Sequence, residues 1–441
     1  MSRAPDMPMV GEVGVIELLE PDGSTSQHPI VVSDLLGRGG EGVVVAASAE
    51  EDYRSRMDTV SMGIPANADI AIKIGDAVAD EVKRRPPEPP KLRHIAAFRG
   101  SGTILLGGKR YECAIAPVFR KGSVEHDIAA NGPLHADQAA DYACCMLSAL
   151  RQLHDRDMVH ADVKPGNLLV VSDHRCVLAD FGGAHKIGES TSRCLTIGFA
   201  SERVLRGFPT EPRDDIHAAG VSLAHMLRGE SMLLMSRTIV GGKSKWGGQD
   251  DEALNVLADH QPTLLRTGDP AMDVIVARMI APSAHEQFDC VDAMAALYPF
   301  TSSVARERTV DHGPLFSNED LVAIGDRILA RLDPDDNRYE ASAAPMFRLA
   351  AEHLAHDGRL TDDQREMFEA AAHAPPPLAE QQAALAQRWI RQAQDETKVR
   401  VESAVQRRDP ARPSMQVDVH RQAPPPPVAP ANPKHAWWER R

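Results

Sequence analysis

Apolar positions recur along this chain with two different periods, and the change between them divides it. From residue 12 to about residue 119 the apolar runs are short and rich in β-branched side chains: Val15-Ile16, Ile30-Val31-Val32, Val43-Val44-Val45 and Ile70-Ala71-Ile72. The first two flank Pro21-Asp22-Gly23-Ser24, a turn-forming quartet, so the spacing predicts strand, turn, strand. Further on, Ala140, Cys144, Leu147, Leu150 and Leu153 recur at intervals of three and four, which predicts a helix over residues 137–153. A β-rich segment followed by a larger helix-rich one implies an α+β protein in two lobes.

After Phe300 the pattern stays helical, with helix-compatible stretches at 317–332, 344–356, 361–373 and 378–396. Ser317 can cap the first through its hydroxyl, and Thr361 with Gln364 forms a capping box for the third. Leu321, Ile324, Ile328 and Phe347 give these segments a face that can be buried. From about residue 402 the chain is charged and Pro-rich, including the unbroken run Pro424 to Pro427, and an extended or disordered tail is expected.

Composition narrows the classes of partner. The 441 residues carry 49 Lys and Arg against 63 Asp and Glu, a net charge of −14, which disfavours bulk attraction to nucleic acid or anionic membrane. Cys113, Cys144, Cys145, Cys176, Cys194 and Cys290 show no C-x-x-C spacing, so they read as buried small hydrophobes in a reducing compartment. The first thirty residues lack a basic-then-apolar leader, and no apolar run approaches the roughly 18 residues of a membrane span. The expected location is cytoplasmic, with export by a non-classical route left open.

Three blocks carry chemistry. Gly37, Gly39, Gly40 and Gly42 lie between two apolar runs, and glycines at this spacing allow backbone amides to approach a polyphosphate closely. The β-branched Val43-Val44-Val45 that follows argues for a strand, against the helix that a dinucleotide-binding turn requires. Ile70-Ala71-Ile72-Lys73-Ile74 is an apolar strand with one lysine, placed downstream of the glycines where it can hold nucleotide phosphates. His160-Ala161-Asp162-Val163-Lys164-Pro165-Gly166-Asn167 is a polar cluster framed by apolar residues. There Asp162 can orient a hydroxyl and accept its proton, Lys164 can neutralise phosphoryl charge, and Asn167 can offer an oxygen to a cation. Thirteen residues beyond Asn167, Asp180-Phe181-Gly182 places a hard carboxylate after the apolar run Val177-Leu178-Ala179.

Taken in this order, the four motifs resemble the eukaryotic-type Ser/Thr protein kinases over residues 28–300. The resemblance implies a bilobal protein-kinase-like fold, with a small β-rich N-lobe, a larger helical C-lobe and a C-terminal all-helical accessory region. It implies ATP as phosphoryl donor and Mg2+, or Mn2+ in its place, as the metal. Gly37, Gly39 and Gly42 would lie over the phosphates, with Lys73 on the α- and β-phosphates. Val44, Ala71, Ala116 as gatekeeper, and Pro117, Val118 and Phe119 as hinge would meet the nucleotide. Asp162 would be the catalytic base, with Lys164 beside it and Asn167 and Asp180 as metal ligands. Asp215 to Gly220 resembles the family's central helix, and Thr196-Ile197-Gly198-Phe199 its substrate-docking loop. The implied partner is a protein carrying Ser or Thr, with no nucleic acid and no membrane. The helical C-terminal region or the Pro-rich tail is an expected binding site for a further protein.

Four departures from the family pattern qualify these expectations. Ala161 replaces an arginine that would bind a phosphate on the activation loop, which suggests control by other means. The glutamate that should pair with Lys73 is assigned to Glu81 on a helix-compatible stretch, since Glu88 is ringed by prolines. A gapless match puts Glu202-Arg203 where the family has Pro-Glu and would pair Arg203 with Glu286 as a charge-swapped ion pair, whereas a segment one residue shorter leaves Glu202 in the glutamate role. Glu41 occupies the tip of the glycine loop, and residues 47–69 form a long insertion. Two rivals stand beside the kinase reading. One is a small-molecule phosphotransferase of the aminoglycoside or choline kinase type, which shares a related His-x-Asp loop. The other is a pseudokinase scaffold, which would be expected to lack one of Lys73, Asp162, Asn167 or Asp180. The expected organisation is a lead and β extension at 1–27, the kinase domain at 28–300, helices at 312–400 and the tail at 401–441.

Overall fold

The computed structural model describes residues 8, 10–19, 24–39, 42–49, 70–75, 78–84, 92–96, 100–189, 196, 198–205, 207–230, 265–306, 314–332 and 344–356. The helices expected at 361–373 and 378–396, the tail with Pro424–Pro427, Glu41, Glu88 and Ser190 to Ser192 lie outside the described residues.

Six strands form the N-terminal lobe: β1 (Val13–Leu19), β2 (Thr25–Gly39), β3 (Gly42–Ala49), β4 (Ile70–Ile74), β5 (Gly100–Leu106) and β6 (Lys109–Pro117). They close into a barrel in the order β1-β2-β3-β4-β6-β5. The alternation of a strand's side chains explains the sorting of residues. Ile70, Ile72 and Ile74 point inward with Val43, Val45, Cys113 and Ile115 to make the barrel core. Ala71 and Lys73, on the alternate positions of β4, belong to its other face.

Closure depends on β1, which pairs with β2 on one side and with β5 on the other. Leu18 stands opposite Gly102, and a Cβ on Gly102 would come within 2.0 Å of the Glu17 carbonyl oxygen, so only glycine allows that approach. The division expected at residue 28 falls inside β2. The segment set apart as an extension is part of the same hydrogen-bonded sheet.

A short helix, α1 (Val78–Arg84), follows β4, and the C-terminal lobe is helical: α2 (Val124–Asn131), α3 (Ala136–His154), α4 (Pro212–Arg228), α5 (Pro270–Met279), α6 (Cys290–Leu297), α7 (Asn318–Leu332) and α8 (Ala344–His356). Between α3 and α4 lie the short strands β7 (Met158–Val159), β8 (Leu168–Ser172), β9 (Arg175–Leu178) and β10 (His185–Lys186). Buried residues occupy nearly the whole circumference of α3, as expected of a helix at the centre of a lobe. The helix starts are specified locally. Asp289 caps α6 by accepting from the Val291 and Asp292 amides, and a reciprocal Glu211–Asp214 capping box with Pro212 opens α4.

α7 and α8 are not set apart from this lobe. Leu315, Phe316, Ile324, Ile328, Phe347 and Leu354 lie in the same continuous core as α3, α4 and α6. Ser317 Oγ accepts the Asp320 amide at 2.9 Å while Asp320 Oδ2 accepts the Ser317 amide at 3.0 Å, which fixes the start of α7. Arg331 forks onto Asp292 at 2.9 and 2.7 Å, tying α7 to α6. Cys113, Cys144, Cys145, Cys176 and Cys290 are all buried free thiols. Among the described residues no helix is long and apolar enough to cross a membrane.

Candidate active site

The face of β4 turned away from the barrel core begins the site. Ala46, Ala71 and Val118 form a small apolar cluster against which Val44 and Ala116 pack. Ala71 stands opposite Ala116 and Ile70 opposite Pro117. Phe119 follows at the exit of β6, where its carbonyl accepts the Gly122 amide at 3.0 Å. Small side chains here leave room beside a lysine for a flat apolar group.

Lys73, on the same face as Ala71, places its Nζ 2.5 Å from Glu81 Oε2 and 3.0 Å from Asp180 Oδ1. Burial pushes the ammonium's pKa down, but the Asp180 and Glu81 carboxylates outweigh it and hold it above the ordinary lysine value. Burial likewise favours the neutral form of Asp180, and the Lys73 charge reverses this, leaving the carboxyl below its usual range. Glu81 stands on α1, where it is fully buried, and its Oε1 accepts the Phe181 amide at 3.3 Å. Arg84, on the next turn, donates to the Gly182 carbonyl at 2.5 Å. Helix α1 thus holds the lysine through Glu81 and the Asp180-Phe181-Gly182 segment through its backbone.

A second cluster is built on the loop after β7. Asp215, buried on the first turn of α4, accepts the His160 amide at 2.8 Å and the Ala161 amide at 2.9 Å. These bonds hold Ala161 in a left-handed conformation, φ 64°, which for a residue with a Cβ persists only where the surroundings enforce it. Asp162 emerges from that turn. Its Oδ2 lies 2.7 Å from Lys164 Nζ, and its Oδ1 accepts the Thr196 hydroxyl at 2.7 Å. Lys164 also donates to Thr196 Oγ1 at 2.8 Å, closing a ring of three side chains. Asn167 donates its amide to the Asp162 carbonyl at 2.8 Å and to Oδ2 at 3.0 Å. His160 links the two clusters: its Nε2 donates to the Ala179 carbonyl at 3.1 Å, and its ring meets Phe181 edge-on at 5.1 Å.

The glycines lie on the β2–β3 hairpin, with Gly37 opposite Val44 and Gly39 opposite Gly42. Gly42 has φ +152°, and a Cβ there would sit 2.2 Å from the Ile74 carbonyl oxygen, so the strand carrying Lys73 is approached by bare backbone. Nothing lies within 4 Å of a Cβ built on Gly37, so its small size meets no demand of the fold itself.

The residues singled out in the sequence therefore fall on two faces of one cleft: Gly37, Gly39, Gly42, Val44, Ala71, Lys73, Glu81 and Ala116–Phe119 on the N-lobe side, and Asp162, Lys164, Asn167 and Asp180 on the other. The donor set suits a hard cation. Asp180 offers a carboxylate, and Asn167 uses its amide nitrogen on Asp162, which leaves the side-chain oxygen as the donor. Among the described residues no three His, Cys, Asp or Glu side chains form a metal cage.

One expectation is corrected. Arg203 does not pair with Glu286; it lies 3.0 Å from Glu211 and 3.5 Å from Asp214, the carboxylates that open α4. Those anions stand close along the chain, whereas Glu286 offers its main-chain carbonyl to Arg278. His154 has its Nε2 3.0 Å from Asp215 Oδ2 and so braces the carboxylate that holds the loop carrying Asp162. Burial raises the pKa of Asp215, but its interactions with His154 and His160 together outweigh it and the carboxyl is held below its usual value. Nothing local signals this role, because the partner lies 61 residues away.

Comparison with known proteins follows the same lines. Residues 105–249 match the protein kinase domain family. The chain is 23% identical over 262 residues to 3-phosphoinositide-dependent protein kinase 1 of Arabidopsis thaliana, covering 54% of this chain and 51% of that one. It is 35% identical over 118 residues to testis-specific serine/threonine-protein kinase 2 of Mus musculus, 25% of this chain and 33% of the relative. A probable serine/threonine-protein kinase of Corynebacterium efficiens is 28% identical over 159 residues, 34% and 24% of the two chains. The chain spans about half, or less, of the length of these relatives.

Proposed function

We propose that this chain, whose residues 105–249 match the protein kinase domain family, transfers the γ-phosphoryl group of ATP to Ser or Thr hydroxyls of a protein substrate. The observation that carries the reading is the ring of Asp162, Lys164 and Thr196. A carboxylate and an ammonium 2.7 Å apart suit an incoming hydroxyl: the carboxylate orients it and takes its proton, and the ammonium offsets charge on the transferred group. Val44, Ala71 and Ala116 with Pro117–Phe119 receive the adenine, and Lys73, held by Glu81, faces the phosphates. Asn167 and Asp180 would hold Mg2+, which when bound would neutralise charge on the phosphate oxygens. Lys164 beside Thr196 favours Ser/Thr over Tyr. The chain works in the cytoplasm on this reading.

Lys164-Pro165, Phe181-Gly182, Thr196-Ile197-Gly198-Phe199 and the stretch Asp215 to Gly220, all in the pattern of the protein kinases, favour a protein substrate over a small alcohol. The test is radiolabelled phosphate transfer from ATP to a generic basic protein. Asp162→Asn should lower turnover about 10²- to 10⁴-fold while nucleotide affinity stays near the wild-type value. Transfer by the wild type to aminoglycosides or choline alone would replace the protein-kinase reading. ATP binding without any transfer would favour a scaffold.

A further inference from the structure

Residues 92–96 sit between three parts of the molecule. On one side they run parallel to β9: the Leu178 amide donates to the His94 carbonyl at 2.7 Å, and the Ala96 amide donates to the Leu178 carbonyl at 2.8 Å. Leu178 precedes Asp180 by two residues, so this bridge fixes the strand end from which the carboxylate projects. Underneath, Gln152 of α3 clamps the Arg93 main chain, accepting its amide and donating to its carbonyl, both at 2.9 Å.

The third side is the chain entering α7. The Arg93 guanidinium donates to the Pro314 carbonyl, and His94 Nε2 lies 3.1 Å from the Leu315 carbonyl. A carbonyl only accepts, so the facing ring nitrogen carries the proton. His94 holds φ 57°, a left-handed conformation that a residue with a Cβ keeps only under constraint. The constraint is firm: Leu315 and Phe316 are fully buried, and Asp320 of α7 accepts from Arg151 of α3 at 2.9 Å. A continuous set of contacts therefore runs from α7 through His94 and Leu178 to Asp180, and from Asp180 to Lys73.

We propose that His94 is a positioning residue for Asp180, and that the segment 314–332 locks it in place, making α7 a working part of the metal-side half of the site. The turn at His94 sets the carbonyl that receives Leu178, and the Leu315 carbonyl sets the turn. When the ring loses that acceptor, residues 92–96 are no longer tied to the chain entering α7, and Asp180 is no longer held where it meets both Lys73 and a cation. The consequence rests on the phosphoryl-transfer reading above.

The test uses the full chain and a fluorescent ATP analogue, titrated with and without Mg2+, beside the transfer assay. His94→Asn tolerates the left-handed backbone but falls short of Leu315, whereas His94→Gln keeps a donor with greater reach. His94→Asn should shrink the strengthening of binding by Mg2+ about tenfold, leave metal-free affinity unchanged, and recover in part in His94→Gln. Val276→Ala, which opens a cavity in the buried core of α5 outside segment 314–332, controls for stability alone. A His94→Asn variant with wild-type Mg2+ dependence overturns the proposal. If the wild type shows the metal effect but no transfer, the expected His94 result still stands and the kinase reading fails alone. Nucleotide binding that ignores Mg2+ in the wild type overturns both.

Discussion

The Lys73–Glu81–Asp180 cluster and the Asp162–Lys164–Thr196–Asn167 cluster serve one cleft but are built on opposite plans. In the first, three charged groups from three elements meet, Glu81 and Lys73 largely buried and Asp180 half-exposed, with Lys73 and Asp180 separated by 107 residues. In the second, three of four residues lie within six positions of one another on a loop whose backbone is pinned by Asp215. The first exists only when β4, α1 and the segment after β9 are packed together, so it reports the assembly of the lobes. The second is largely preformed by local geometry, and needs tertiary structure only to anchor the turn and bring in Thr196. Damage to the first should therefore appear in stability and nucleotide binding, and damage to the second in turnover.

The largest test of that contrast is Glu81→Ala. Removing one member of a buried ion pair costs roughly 3–5 kcal/mol, and because Lys73 keeps Asp180 the loss should lie near the lower end. Chemical denaturation measures it, with weakened nucleotide binding alongside. A variant as stable as the wild type would show that the first cluster is a surface arrangement after all.

A pH series probes the anchor of the second cluster. Burial lowers the pKa of His217, two residues from Asp215, from 6.5 to about 4. Between those values the unfolded chain takes up a proton that the folded chain refuses, so the stability present above 6.5 is lost as the pH falls. The loss attributable to His217 amounts to roughly 3 kcal/mol by pH 4. Asp141 works in the opposite sense, since burial raises its carboxyl to about 6 and so favours the fold as the pH falls through that value. Denaturation of wild type against His217→Gln isolates the histidine: the difference between them should narrow steadily from pH 7 to pH 4.

Next in size is a pair of glycine substitutions. Gly42→Ala should destabilise by about 1–3 kcal/mol, because its φ and the Ile74 carbonyl both oppose a Cβ. Gly37→Ala should leave the melting temperature nearly unchanged and weaken nucleotide binding. Equal melting temperatures for the two would remove the distinction between a fold glycine and a ligand glycine.

Thr196→Val is the smallest and bears on the second cluster alone. It removes the hydroxyl shared by Asp162 and Lys164, and turnover should fall about tenfold with stability within about 0.5 kcal/mol of wild type. Thr196→Ser should retain activity. A stability loss without a rate loss would reverse the assignment of the two plans.

Much of this was legible from residue types and spacing. The strand and helix periods located β4 and α3, and the α1 helix appeared where Glu81 required it. The loop around Asp162 could be read because its members are sequence neighbours. Other features were hidden. The N-terminal strand looked like an extension because pairing with β5 cannot be seen from β1 alone. The helices after residue 312 looked like a separate region because their apolar faces do not say which core receives them. Arg203 was matched to a distant glutamate when two nearer carboxylates were available.

Sequence by itself determined the chemistry: which carboxylates, amides and ammonium groups are present, and the local turns that present Asp162, Lys164 and Asn167 together. Only the tertiary structure decided what holds them. Glu81 became the partner of Lys73, His154 and Asp215 became the brace of the loop carrying Asp162, and His94 came to stand between α7 and the strand of Asp180. The physical reason is one of range. Side-chain type and backbone period act over a few residues, whereas burial and ion pairing act between surfaces that meet only after the chain has folded.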